Sequence, residues 1–261
     1  MRDSVFEVCV ENLEAARAAA AGGSDRIELC ADLSAGGITP AIDLLTSTIE
    51  ALSIPVFVMI RSRGGDFTGS SREIDQMRRH IEAAKRAGAA GVVLGVLDSD
   101  RRVDVDRSRS LVDLARPMKV TFHRAFDATP DLGEALEAVI ETGADCVLTS
   151  GGKPDVLTGA DAIAQLRKQA ARRIDVMAGG GLTLDNLEEV VRRTDVSHLH
   201  GSLSGKRVNG DRKKKCAASD FAALEVNVRE AVRLFRKELA MRGRSFESSA
   251  GSEEARLEWM G

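Results

Sequence analysis

VFEVCVENLEAARAAAAGGSDRIELC, residues 5–30, decides the fold. Val5–Val10 is a short apolar run of strand type, Asn12–Ala21 an alanine-rich helical stretch, and Gly22-Gly23 its stop. Arg26–Cys30 then starts another strand. A strand, a helical crossover and a second strand make a βαβ unit, in which the two strands run parallel.

The unit repeats along the chain. Further strands are expected at Pro55–Ile60, Gly91–Val96, Lys119–Phe122, Cys146–Thr149, Ile174–Met177 and Ser197–His200. Helices are expected from Thr39-Pro40 to Leu52, and over Ser71–Ala87, Asp104–Ala115, Asp131–Glu141, Gly159–Ala171, Thr183–Arg193 and Asp220–Met241. Pro40 at a first helical position, Asn186 near a helix start and Gly88 and Gly143 at helix ends fit this punctuation. Eight strands alternating with eight helices close into an α/β (β/α)8 TIM barrel, whereas five or six would leave an open sheet. One domain is expected over residues 1–242, with a flexible Ser-, Glu- and Gly-rich tail over 243–261.

Composition narrows the function. Of 261 residues, 37 are basic and 40 acidic, a net charge of −3 that offers no footprint for nucleic acid. No run approaches the ~20 apolar residues that span a bilayer, and the charged start Met-Arg-Asp-Ser-Val-Phe-Glu has no leader pattern. Cys9, Cys30, Cys146 and Cys216 lie far apart, as reduced thiols of a cytoplasmic protein do. Aromatics make up only 3%, so Val, Ile, Leu and Ala are expected to fill the barrel interior.

Barrel chemistry sits at the strand carboxyl ends, where this chain concentrates reactive residues. Cys9 and Cys30 close the first two strands, where paired thiols suit Cu(I), and His123 and His200 offer nitrogen ligands; buried cysteines also serve simply as small hydrophobes. His123, with Glu28 or Asp127 beside it, has the makings of a general acid–base site, or of a structural histidine. Arg61, Arg63 and Arg124 suit an anionic ligand, or else a buried salt-bridge net with Glu7, Glu28 and Asp127. Gly179-Gly-Gly181 before a helix, with Ser202 and Ser204 beyond the eighth strand, fits an anion cradle or a plain tight turn. Lys206–Lys215 reads as a solvated loop, or as a basic flap over the mouth.

Several of these segments together resemble the CutC copper-homeostasis family. They are Phe6–Val10, Asp25–Cys30, Gly36–Pro40, Val58–Arg61, Arg63–Phe67, Thr121–Asp127, Leu148–Gly151 and Gly179–Gly181, in order from about residue 5 to 205. The resemblance implies a barrel, a cytoplasmic role in copper homeostasis, and Cu(I) bound by the cysteines matching Cys9 and Cys30. With the general frequency of two-fold assemblies it also suggests a homodimer or higher homo-oligomer. The chain departs from the family pattern at Ser62, at Gly69 and at Leu203-Ser204, where an arginine is lost. The competing expectation is a barrel enzyme working without copper on a small phosphorylated or sugar-like anion. There Arg61, Arg63, Arg124, Gly180, Gly181 and Ser202 would bind the substrate, and His123, Glu28 and Asp127 would move protons.

Overall fold

The structure, a computed structural model, describes residues 4–203 and 218–257, with side chains of the last helix described as far as 242. Eight parallel strands close on themselves in sequence order: β1 (Val5–Val10), β2 (Arg26–Leu29), β3 (Val56–Met59), β4 (Gly91–Leu94), β5 (Lys119–Phe122), β6 (Cys146–Thr149), β7 (Asp175–Gly179) and β8 (His198–Gly201). Each is followed by a helix: α1 (Leu13–Ala21), α2 (Ile42–Ala51), α3 (Ser71–Ala87), α4 (Val105–Ala115), α5 (Leu132–Glu141), α6 (Ala160–Ala170), α7 (Leu184–Thr194) and α8 (Ala218–Leu257). This is the expected TIM barrel.

Side chains also set the helix ends. Asn12, Asp104, Asp131 and Thr183 each accept a first-turn backbone N–H, and Ser70 with Glu73 forms a reciprocal box at the start of α3. Pro40 differs from expectation: α2 starts at Ile42 with Ala41 as its cap, so the proline lies outside the helix. Past Met241, α8 runs on to Leu257, carrying the helix into the segment expected to be a tail. Ser204, the basic stretch 206–215 and Cys216 lie outside the described residues.

The interior corrects the compositional expectation. Branched aliphatics such as Val8, Val10, Ile27, Leu29 and Leu94 face outward, forming with the helices one continuous shell. Inside the barrel, two small groups (Cys30, Phe57, Met59 and Val93; Cys146, Leu148 and Met177) leave room for ionisable side chains. The strands supply these by alternation, since every second residue of a strand points to the same face. Glu7 and Cys9 of β1, and Arg26 and Glu28 of β2, therefore turn inward, with Glu7 beside Arg26 and Cys9 beside Glu28 in register. β8 adds His200 next to Glu7.

Two glycines show where backbones touch. Gly159, at the start of α6, adopts an ordinary φ of −89°. An added Cβ there would nonetheless lie 1.8 Å from the Ser150 carbonyl oxygen. Backbone cannot rotate away, so Gly159→Ala should lower stability by about 1–3 kcal/mol. Gly133, in the first turn of α5, would place an added Cβ 3.3 Å from Asp131 Oδ1, the oxygen that caps the helix by accepting the Glu134 N–H. Gly133→Ala should change stability by less than about 0.5 kcal/mol, the gain in helix propensity being offset by crowding of that cap. Urea titration compares the two variants, and equal effects would contradict the close approach at Gly159.

Candidate metal and ligand site at the barrel mouth

Charges are arranged from β8 across β1 to β2. His200 Nδ1 lies 2.7 Å from Glu7 Oε1, and Arg26 Nε donates to Glu7 Oε2 at 2.5 Å. The other face of the imidazole, Nε2, is 3.4 Å from Glu28 Oε2. Burial alone would raise the Glu7 carboxyl, yet Arg26 and His200 hold it down at about 2. Burial pushes Glu28 up to about 7, with Glu7 adding and His200 opposing. Burial opposes protonation of His200, but Cys9, Glu28 and Glu7 overcome it and raise its pKa well above the usual range. Arg26 is nearly buried and rests over the Phe57 ring at 4.0 Å.

Three of these inward groups converge. The Cys9 sulfur, a Glu28 oxygen and a His200 nitrogen lie within 4.8 Å of one another, and all three residues are buried. Cys30 lies outside that set, because the register pairs Cys9 with Glu28 and leaves Cys30 two residues further along β2. Two residues of strand rise by ~6–7 Å, so the two cysteines do not occupy matching positions as the spacing had suggested. Burial, then Glu28 and Cys9, push the Cys30 thiol up, and its sulfur donates to the Val10 carbonyl at 3.5 Å.

These groups line a cavity of about 880 Å³ at the strand carboxyl ends. Arg61, Arg124, His123, Asp127, Gly180, Gly181 and Ser202 line it too. Arg61 is buried, with Nη1 on the carbonyls of Ala35, Gly36 and Gly37 at 3.2–3.4 Å and Nη2 on that of Gly65 at 2.7 Å. It ties the loop after β2 to the loop after β3. Arg63 is not part of the mouth. β3 ends at Met59, so strand alternation does not reach it, and its guanidinium pairs outside with Asp66 and Glu73 at 2.8 and 2.5 Å.

Asp127 does not orient His123. Its carboxylate accepts from Arg124, Thr149, Ser150 and Gly152, which fastens the loops after β5 and β6 together. His123 Nδ1 instead accepts the Ala125 backbone N–H at 3.2 Å. Gly180 and Gly181 have φ of +100° and +69°, the left-handed region that favours glycine. A side chain at Gly180 would also strike Arg124, whose Cζ lies 3.0 Å from the Cβ position. Arg26 was missed from the sequence, although the period-two run Arg26-Ile-Glu-Leu-Cys30 puts it on the same face as Glu28 and Cys30.

No helix among the described residues is long and apolar enough to cross a membrane. The CutC family model matches residues 4–205. A CutC family protein of Caulobacter vibrioides is 42% identical over 238 residues, which cover 89% of this chain and 97% of that protein. The human copper homeostasis protein cutC homolog is 43% identical over 220 residues, covering 84% of this chain and 81% of its own. A CutC crystal structure from Streptococcus agalactiae superposes with a TM-score of 0.73 at 30% identity, covering 76% of this chain and 98% of that one. Matches of this identity and extent, on the barrel described above, leave one assignment: the chain belongs to the CutC family.

Proposed function

We propose that the protein works in copper homeostasis by taking up one Cu(I) ion at the barrel mouth. Cys9 supplies the anchoring thiolate and His200 a nitrogen ligand. Cys30 is the second sulfur, on the same inward face one step along β2. The observation that carries this reading is the convergence of Cys9, His200 and Glu28 within 4.8 Å in a buried pocket. The names of the human and other relatives point to the same metal.

The donor set fits a soft ion in part. Thiolate and imidazole suit Cu(I), while the Glu28 carboxylate is a hard donor better matched to other metals. Glu28 therefore serves as the neighbour that accepts a proton when metal displaces one, because ligands must be deprotonated to bind. This use of thiols requires a reducing compartment such as the cytoplasm.

Anaerobic Cu(I) titration of the reduced protein against a competing chelator tests the reading. Wild type should retain one equivalent, Cys9→Ser should lose it, and Cys30→Ser and His200→Ala should weaken it by at least about tenfold. A wild type that surrenders its copper as readily as Cys9→Ser would defeat the proposal.

A further inference from the structure

A cavity of about 880 Å³ is much larger than one ion needs, since a water molecule takes only ~30 Å³. The Cys9–Glu28–His200 group occupies one wall. The wall formed from β3, β5 and the loops after them carries Arg61, Phe67 and His123, and two buried N–H groups there have no partner among the described residues.

His123 provides the first. Burial, with Arg61 adding, pushes its pKa down to about 3, so the ring is neutral at physiological pH. Its Nδ1 accepts the Ala125 N–H, which assigns the single ring proton to Nε2. That Nε2 is buried and makes no hydrogen bond to the described residues. Arg61 provides the second. Its Nη atoms sit on four backbone carbonyls and its plane lies over Phe67 at 4.5 Å, while Nε is buried without a partner. Those carbonyls are neutral, and among the described residues no carboxylate pairs with Arg61. A buried cation with no direct ion pair, Asp66 acting on it only at a distance, is expensive. A guanidinium fixed this firmly, beside a neutral imidazole N–H, is preorganised for an anionic oxygen.

Across the cavity, Glu28 Oε1 is a third buried polar atom without a partner among the described residues. A second anionic oxygen placed there would be repelled by an ionised Glu28. A hydroxyl suits it in either protonation state, because it can donate or accept. We propose that the mouth binds a small organic oxyanion that also carries a hydroxyl group. One anionic oxygen accepts from Arg61 Nε–H and His123 Nε2–H, and the hydroxyl meets Glu28 Oε1. Carboxylates and phosphate monoesters share this chemistry. The inference goes beyond copper binding and does not depend on it.

The test uses the full-length protein kept copper-free by a chelator, so failure of the copper reading leaves it intact. Glycerate, glycerol 3-phosphate, inorganic phosphate and glycerol are titrated calorimetrically. Glycerate, glycerol 3-phosphate or both should bind, more tightly than inorganic phosphate, and glycerol should not. Which of the two binds names the anion. Histidine ¹⁵N spectra should report the Nε2–H tautomer of His123 in the free protein and a shifted Nε2 on saturation. His123→Phe keeps a ring against Phe67 and should weaken binding by about tenfold or more. Arg61→Met should do the same, but it also loosens two loops, so His123→Phe is the decisive variant. No binding of either hydroxylated anion up to about 10 mM would overturn the proposal. So would binding that His123→Phe leaves unchanged, or inorganic phosphate binding as tightly as the hydroxylated anion that binds.

Discussion

Glu7→Ala should lower the unfolding free energy by about 3–5 kcal/mol, the usual result of removing one partner from a buried ion pair. Glu7 is fully buried between two cations, with His200 on one side and Arg26 on the other. Arg26 cannot shed its charge as a lysine might. It would remain beside Phe57 with the buried Nη2 already lacking a partner among the described residues. His200 would keep Cys9 and Glu28 as neighbours and suffer less. Glu7→Gln retains the volume and an acceptor oxygen but not the charge, so its loss should be intermediate. Urea unfolding with a fitted slope measures both variants. A loss below about 1 kcal/mol for Glu7→Ala would mean that Glu28 compensates Arg26 instead.

That buried group explains why the fold was easier to read than the site. Strand and helix periods are local, so apolar runs, helical stretches and the glycine stops at Gly22-Gly23, Gly88 and Gly143 marked the eight units directly. Interior chemistry depends on register and on strand ends, which are set across strands. The alternation in Glu7-Val-Cys9 and Arg26-Ile-Glu-Leu-Cys30 was visible, but only the pairing of Cys9 with Glu28 separates Cys30 from the metal-type group. Arg61 and Arg63 looked equivalent because strand alternation was extended past Met59, where the strand has ended. Asp127 lay close enough in sequence to orient His123, yet the loops after β5 and β6 take up its carboxylate.

The two walls of the cavity differ in how firmly they are held. On the β1, β2 and β8 side, strands carry Glu7, Cys9, Glu28 and His200, so their spacing follows from the ladder itself. On the other side, Arg61 and Arg124 stand on loops, and each is fixed by hydrogen bonds instead of strand pairing. Arg61 depends on four carbonyls and Arg124 on Asp127 and Ser150. A metal site on the strands should thus tolerate loop substitutions that abolish a ligand site on the loops.

Asp127→Asn is the sharpest case, since it changes one oxygen to an amide and should still lower stability by about 3 kcal/mol. Oδ1 accepts from the Thr149 hydroxyl at 2.5 Å, the Gly152 N–H at 3.0 Å and the Ser150 N–H at 3.1 Å. Oδ2 accepts from Arg124 Nε at 2.8 Å and from the Ser150 N–H at 3.0 Å, while the Ser150 hydroxyl, also 3.0 Å away, sits closer to the Lys153 carbonyl at 2.6 Å. Apart from that hydroxyl, every neighbour donates. An asparagine NH₂ on either side therefore faces donors, and the charge that strengthens each bond is gone. Hydrogen bonds to a charged group contribute ~1.5–3 kcal/mol each, so losing those from two of these donors reaches the stated value. Asp127→Ala should be similar, its lost bonds offset in part by water entering the vacated space. Guanidinium unfolding of both variants, beside the Cu(I) titration, separates the walls. Stability should fall while the copper uptake proposed at Cys9 and His200 persists in the folded fraction. A loss under about 1 kcal/mol for Asp127→Asn would mean that the loops after β5 and β6 are held by packing, and that Asp127 is free for chemistry in the cavity.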